Sequence, residues 1–218
     1  MKKAKLLLSF FMVSSLVVAQ SRVDFGAFAG TSHYLGDINK ERLFYAPSFA
    51  AGAFSRIILN PRYALKASVT RVPIYGNDLD FPNDFQQSRG ENFRAIITDI
   101  GFQFEFNFLK YKYSAVKRVY SPYVSAGTGL AMVNNQNGFS TELIIPFGAG
   151  VKVFITKRLS GAVLWEFRKT FTDNLDGMPG ISDSQFTSKL HNNDWYYIFG
   201  VNLSYRINYY KDLCPAYD

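Results

Sequence analysis

The sequence predicts an all-β fold: an eight-stranded antiparallel transmembrane β-barrel with long outer loops and short periplasmic turns. Three observations predict it. Apolar residues alternate with polar or small ones at period two over segments of about ten residues. Beyond the N-terminus, no apolar run approaches the roughly 20 residues of a spanning helix, so a chain of this kind crosses a membrane as closed strands. Long polar links alternate with short ones, as in bacterial barrels. The 218 residues suffice for one domain, and 17% aromatic content, with 21 Phe and 14 Tyr, suits apolar belts and aromatic girdles.

The N-terminus reads as a secretory signal. Lys2, Lys3 and Lys5 form a positive region, Leu6 to Val18 is apolar apart from serines, and Val17-Val18-Ala19 is a small-residue cleavage site. The competing reading, a membrane anchor, is opposed by the shortness of the run. Residues 1–19 are therefore expected to be a cleaved signal peptide, 20–210 the outer-membrane barrel and 211–218 a periplasmic tail. No cysteine stands near the cleavage point, which opposes a lipoprotein. Losing three lysines reduces the net charge from +7 to +4, and no aromatic-interleaved basic stripe is present, so nucleic acid is not an expected partner.

Eight segments follow in order: Arg22 to Gly30, Ser48 to Leu59, Tyr63 to Ile74, Thr98 to Phe108, Ser121 to Val133, Leu143 to Ile155, Leu159 to Thr170 and Trp195 to Ile207. The fourth alternates most cleanly. Ile100, Phe102, Phe104, Phe106 and Phe108 share one face; Asp99, Gly101, Gln103, Glu105 and Asn107 share the other. In the last, Trp195 and Tyr205 flank Phe199, Val201 and Leu203, the order that two membrane interfaces produce. Opposite the apolar rows stand small residues, Ser125, Gly127, Gly129, Gly148 and Gly150, suited to a narrow interior.

The links support the count. Asn60-Pro61 and Thr156-Lys157-Arg158 are tight turns; Thr31 to Pro47, Tyr75 to Glu91, Asn134 to Glu142 and Phe171 to Asn193 are long and polar. Both termini then fall in the periplasm. Leu109 to Tyr120 departs from the pattern: a short turn is due, but the link is long and carries Lys110, Lys112, Lys117 and Arg118. A soluble barrel would point the apolar rows inward. Several Phe rows would overfill an eight-stranded lumen, and the opposite face lacks the Lys and Glu of a solvated surface.

Signals for catalysis are sparse. The two histidines, His33 and His191, fall in predicted outer loops; there is no G-x-S-x-G elbow and no P-loop. A hydrolase could pair His33 with Ser32, or His191 with a loop Asp, but ordinary loop residues are the simpler reading. Asp173, Asp176 and Asp183 lack calcium-loop spacing. No cofactor, metal or catalytic residue is expected. Glu105, Lys152, Glu166, Arg168 and Arg206 take the lumen parity; inward charges of both signs must pair, which predicts a salt-bridged plug rather than a solute path. Cys214 stands alone, so an internal disulfide is excluded, and an odd Cys in an exported chain points to a free thiol or an intermolecular bridge.

Two motifs carry a family resemblance. Tyr34-Leu35-Gly36-Asp37-Ile38-Asn39 resembles the Y-L-G-D-x-N signature of PorG-like outer-membrane proteins, and Arg168-Lys169-Thr170-Phe171-Thr172-Asp173 resembles the start of their R-K-T-F-T-D-Y-L-D segment. Asn174 stands where that segment has Tyr. Asn193-Asp194-Trp195 and the lone C-terminal Cys are also similar, so the resemblance covers nearly the whole mature chain. PorG-like proteins belong to the type IX secretion system, which in some bacteria supports gliding. The resemblance implies a non-catalytic structural barrel that anchors a periplasmic ring, built from a lipoprotein and a soluble partner, to the membrane. Lys110, Lys112, Lys117, Arg118 and Cys214 would then face that ring, Cys214 through a mixed disulfide. The alternatives are a small porin or ligand-binding barrel and, from a third class, a lipid-modifying barrel enzyme.

Overall fold

In the computed structural model the alternating segments become β1 (Arg22–Leu35), β2 (Ser48–Ile58), β3 (Tyr63–Asn77), β4 (Asn92–Asn107), β5 (Tyr120–Asn135), β6 (Gly138–Phe154), β7 (Leu159–Thr170) and β8 (Trp195–Arg206). The structure describes residues 22–36, 38–39, 42–82, 84–112, 119–136, 138–171, 175 and 194–207. Each strand pairs antiparallel with the next, and β8 returns to β1, closing the barrel. No sheet edge is left open to lipid. At about 3.3 Å per residue and a tilt near 45°, a 12-residue strand such as β7 or β8 rises about 28 Å, enough for an apolar band of about 25 Å. No helix among the described residues is long and apolar enough to cross a membrane.

Side-chain parity divides wall from lumen. Phe102, Phe104, Val201 and Leu203 point outward and are exposed; Asp99, Gln103, Glu105 and Asn202 point inward and are buried. Interior glycines leave room for the large lumen side chains that stand beside them on neighbouring strands. A Cβ at Gly148 would crowd the Glu166 side chain, and one at Gly150 would meet the Tyr123 ring. The lumen is layered: Val72, Ile74, Phe93, Ile97, Val133 and Ile144 pack at the outer end, charged residues fill the middle, and Phe154 lies at the inner end.

The strands reach further outward than the alternation alone indicated. β1 continues past Gly30 to Leu35, which pairs with Trp195; β3 continues to Asn77, and β4 begins at Asn92. These extensions stand above the apolar band, where wall residues turn polar or aromatic and look like loop. The third outer link shrinks most: the alternation leaves Asn134 to Glu142 as loop, but the ladder pairs Asn135 with Gly138. Gly138, the first residue after the turn, takes φ 122°, a backbone conformation that glycine adopts readily and other residues rarely do. The β2–β3 ladder stops at Ala51 opposite Arg71, so β3 beyond Arg71 lacks a β2 partner. Pro73, which cannot donate to a ladder, stands there, and its carbonyl accepts the Ser32 hydroxyl instead.

Candidate functional site

Glu105 of β4 anchors the lumen. Its carboxylate meets Arg56 Nε of β2 at 2.7 Å and Lys152 Nζ of β6 at 2.6 Å. Lys152 also donates to Asn107 Oδ1 at 2.9 Å and lies 4.2 Å from the centre of the Tyr123 ring. One layer outward, Glu166 takes Lys66 Nζ at 2.6 Å and Arg168 Nη2 at 3.3 Å; Arg168 Nε then donates to Asp99 Oδ2 at 2.8 Å. Tyr196 adds its hydroxyl to the same Asp99 oxygen at 3.3 Å. Toward the inner end, Arg206 forks onto Asp24 at 2.8 and 3.2 Å, across directly opposed ladder positions. None of the nine charged residues in this network exceeds 5% exposure. Pairing offsets the cost of burying each charge.

The lumen residues singled out in the sequence, Glu105, Lys152, Glu166, Arg168 and Arg206, are all in this network. Sequence reasoning missed Arg56, Lys66, Asp24 and Asp99 as members. Their strand parity was a usable signal; their partners were not, because Arg56 and Glu105 sit on strands that are not neighbours.

The outer mouth is built from the two family motifs. Tyr34, fully buried, donates its hydroxyl to Asp194 Oδ1 at 2.8 Å. The other carboxylate oxygen takes the Leu175 backbone N–H at 3.2 Å, and the Asp194 carbonyl takes the Thr170 hydroxyl at 2.6 Å. Gly36 lies against this pair: a Cβ there would overlap the Tyr34 hydroxyl and the Asp194 carboxylate. Asn39 ties the loop that follows, donating to the carbonyls of Tyr34 at 2.9 Å and Arg42 at 2.8 Å and accepting the Arg42 N–H at 2.9 Å. Leu35 ends β1; Lys169 places its ammonium 5.1 Å from the centre of the Trp195 ring; Phe171 is exposed. Asp37, Thr172 and Asp173 lie outside the described residues.

The inner mouth carries a lid. Tyr111, from the long inner link, stacks on Phe154 at 4.2 Å and 14°, its N–H bonded to the Pro61 carbonyl at 2.9 Å. Burial pushes its phenol up to about 12. Lys110 and Lys112 flank it on the inner rim. Lys117, Arg118, Cys214, the segment 1–19 and the tail 211–218 lie outside the described residues.

His33 is corrected from outer loop to strand β1. Its ring faces outward, stacked on Tyr197 at 4.8 Å and capped by Phe44, whose φ of 61° turns it onto the wall. His33 Nδ1 lies 3.1 Å from the Tyr45 carbonyl. Ser32 points the other way, to the Ser48 and Pro73 carbonyls, so the two side chains occupy opposite faces of β1. His191, Asp176 and Asp183 lie outside the described residues. No group of three or more His, Cys, Asp or Glu among the described residues is placed to hold a metal.

The family model described as "Domain of unknown function (DUF6089)" matches residues 3–216. No curated protein matches the chain. Among solved structures, the chain is similar to Neisserial surface protein A (NspA) at 12% identity and TM-score 0.51, covering 86% of this chain and 97% of that one. It is also similar to the N-terminal β-barrel domain of Pseudomonas aeruginosa OprF at 14% identity and TM-score 0.48, covering 86% of this chain and 100% of that one. The likeness to NspA is one of fold, that of a closed antiparallel barrel.

Proposed function

The chain belongs to the DUF6089 family, and from that premise we propose that it is a non-catalytic anchor in the outer membrane for the type IX protein secretion machinery. The observation that carries the reading is a lumen closed at three levels: Tyr34 with Asp194 at the outer mouth, the ion-paired belt in the middle, and Tyr111 on Phe154 at the inner mouth. A barrel filled in this way offers its rims rather than a passage. The resemblance of Tyr34 to Asn39 and of Arg168 to Asp173 to PorG-like motifs supports the choice of machinery.

In this reading both termini lie in the periplasm. The inner rim meets the ring lipoprotein and its soluble partner through Lys110, Lys112, Lys117 and Arg118, with Cys214 bridging by a disulfide. The test is a pull-down of tagged barrel from native outer membranes under non-oxidising and oxidising conditions, with both ring proteins identified by mass. Both proteins should co-purify, Lys110→Glu with Lys112→Glu should weaken capture, and Cys214→Ser should remove a high-mass band on a non-reducing gel. Recovery of the barrel without either ring protein would sink the anchoring role. Stepwise ion conductance by the purified barrel would favour a small porin instead.

A further inference from the structure

The outward positions of the eight strands are apolar, aromatic, small or neutral polar with three exceptions among the described residues, all of them cations: Arg71, Arg94 and Lys169. No Asp or Glu takes an outward strand position there. Lys169 rests over the Trp195 ring. Arg71 and Arg94 are exposed, and neither has an ion-pair or hydrogen-bond partner among the described residues. They sit on the neighbouring strands β3 and β4, where Arg71 opposes Thr98 and Arg94 opposes Tyr75. That places them four ladder positions apart, about 13 Å along the strands.

Depth gives these two arginines their meaning. Arg71 lies eight residues above Tyr63, the inner end of β3, or about 19 Å higher at a tilt near 45°. An apolar band about 25 Å tall that starts at the inner girdle of Tyr63, Phe108, Tyr120 and Tyr205 therefore still surrounds its Cα. A cation on the lipid face is costly at mid-depth and nearly free at the interface, so the Arg71 side chain must run outward along the wall to the headgroups. Arg94 stands above it and brackets the same strip. The anions available at that height are lipid phosphates, and a guanidinium, always charged and forked, binds phosphate in a bidentate manner.

We propose that the β3–β4 wall carries a binding site for the phosphate of a phosphorylated outer-leaflet glycolipid, held between Arg71 and Arg94. The site goes beyond the anchoring reading, since neither ring protein enters it, and failure of one leaves the other standing.

The test uses the full chain folded in neutral detergent, titrated with bis-phosphorylated lipid A and separately with inorganic phosphate, and read by native mass spectrometry. Lipid A should bind saturably. Arg71→Gln with Arg94→Gln should weaken it at least about tenfold, Arg71→Lys with Arg94→Lys should retain most of it, and Lys157→Gln at the opposite end of the barrel should leave it unchanged. Heat-shifted gel mobility confirms that each variant is folded; both side chains point away from the lumen network. Equal binding of lipid A by the double Gln variant would overturn the proposal. So would inorganic phosphate binding as tightly as the lipid, with the same arginine dependence, which would assign the site to free phosphate.

Discussion

Asp194 joins three segments of the chain by three hydrogen bonds: the Tyr34 hydroxyl from β1, the Leu175 N–H from the last outer loop and the Thr170 hydroxyl from β7. Asp194→Ala removes the carboxylate that accepts the first two of these bonds at a buried position. The expected cost is about 3 kcal/mol, read as a fall in the temperature at which the folded, fast-migrating gel band converts to the unfolded one. Tyr34→Phe removes one bond and keeps the ring packed on Phe93, so about 1 kcal/mol is expected. A variant order with Tyr34→Phe the more damaging would show that the Tyr34 hydroxyl, rather than the Asp194 carboxylate, is the group that holds the mouth closed. The motif was visible in the sequence as a resemblance, but its role was not. Nothing local connects Tyr34 to Asp194, 160 residues away; only the closing ladder of β1 with β8 brings them together.

At the scale of elements, the alternation itself was legible because one property, the side of the sheet on which a residue stands, decides both lipid contact and lumen contact. Phe104 and Glu105 are adjacent and opposite in every respect: the first is exposed on the wall, the second is buried between Arg56 and Lys152. Ile100→Lys, on the same outward row and paired with Val69 near mid-depth, should therefore cost about 2–4 kcal/mol in a bilayer, and little in a charged detergent that can solvate the ammonium. Equal losses in both media would place Ile100 away from lipid. The strand ends were less legible. Above the apolar band, Thr31 to Leu35 lose their aliphatic rows, so hydropathy reads a loop where the backbone ladder continues. The long inner link was visible as an exception of length and charge, but the insertion of Tyr111 into the mouth was not, because it depends on the cavity left beside Phe154. That lid has a pH signature. Its phenol keeps the proton up to about 12 in the folded protein, above the usual tyrosine value of about 10, so the stability it contributes is complete below pH 10 and is lost between 10 and 12. Tyr111→Phe should flatten that alkaline limb of the unfolding curve relative to the parent.

For the whole molecule, closure at three independent levels makes a prediction that a single plug would not. The middle level is a belt in which Glu105 serves Arg56 and Lys152, and Glu166 serves Lys66 and Arg168. Removing the Glu166 carboxylate strands Lys66 in a low-dielectric lumen and leaves Arg168 to Asp99 alone, so Glu166→Gln should cost about 3–5 kcal/mol, and adding Lys66→Met should recover part of that loss rather than deepen it. Strict additivity of the two would mean that water already solvates the belt. Conductance follows the same logic. Tyr111→Ala removes the inner lid but leaves the belt and the Asp194 closure, so planar bilayers should still show no stepwise current. Only when the belt is hollowed as well, with Lys152→Ala and Glu105→Ala on the Tyr111→Ala background, should the inner half admit ions, and the outer closure should still prevent through-current until Tyr34→Ala is added. Steps appearing with Tyr111→Ala alone would show the belt and the outer closure to be permeable, and the barrel would then have to be counted as a gated pore whose gate is its inner lid.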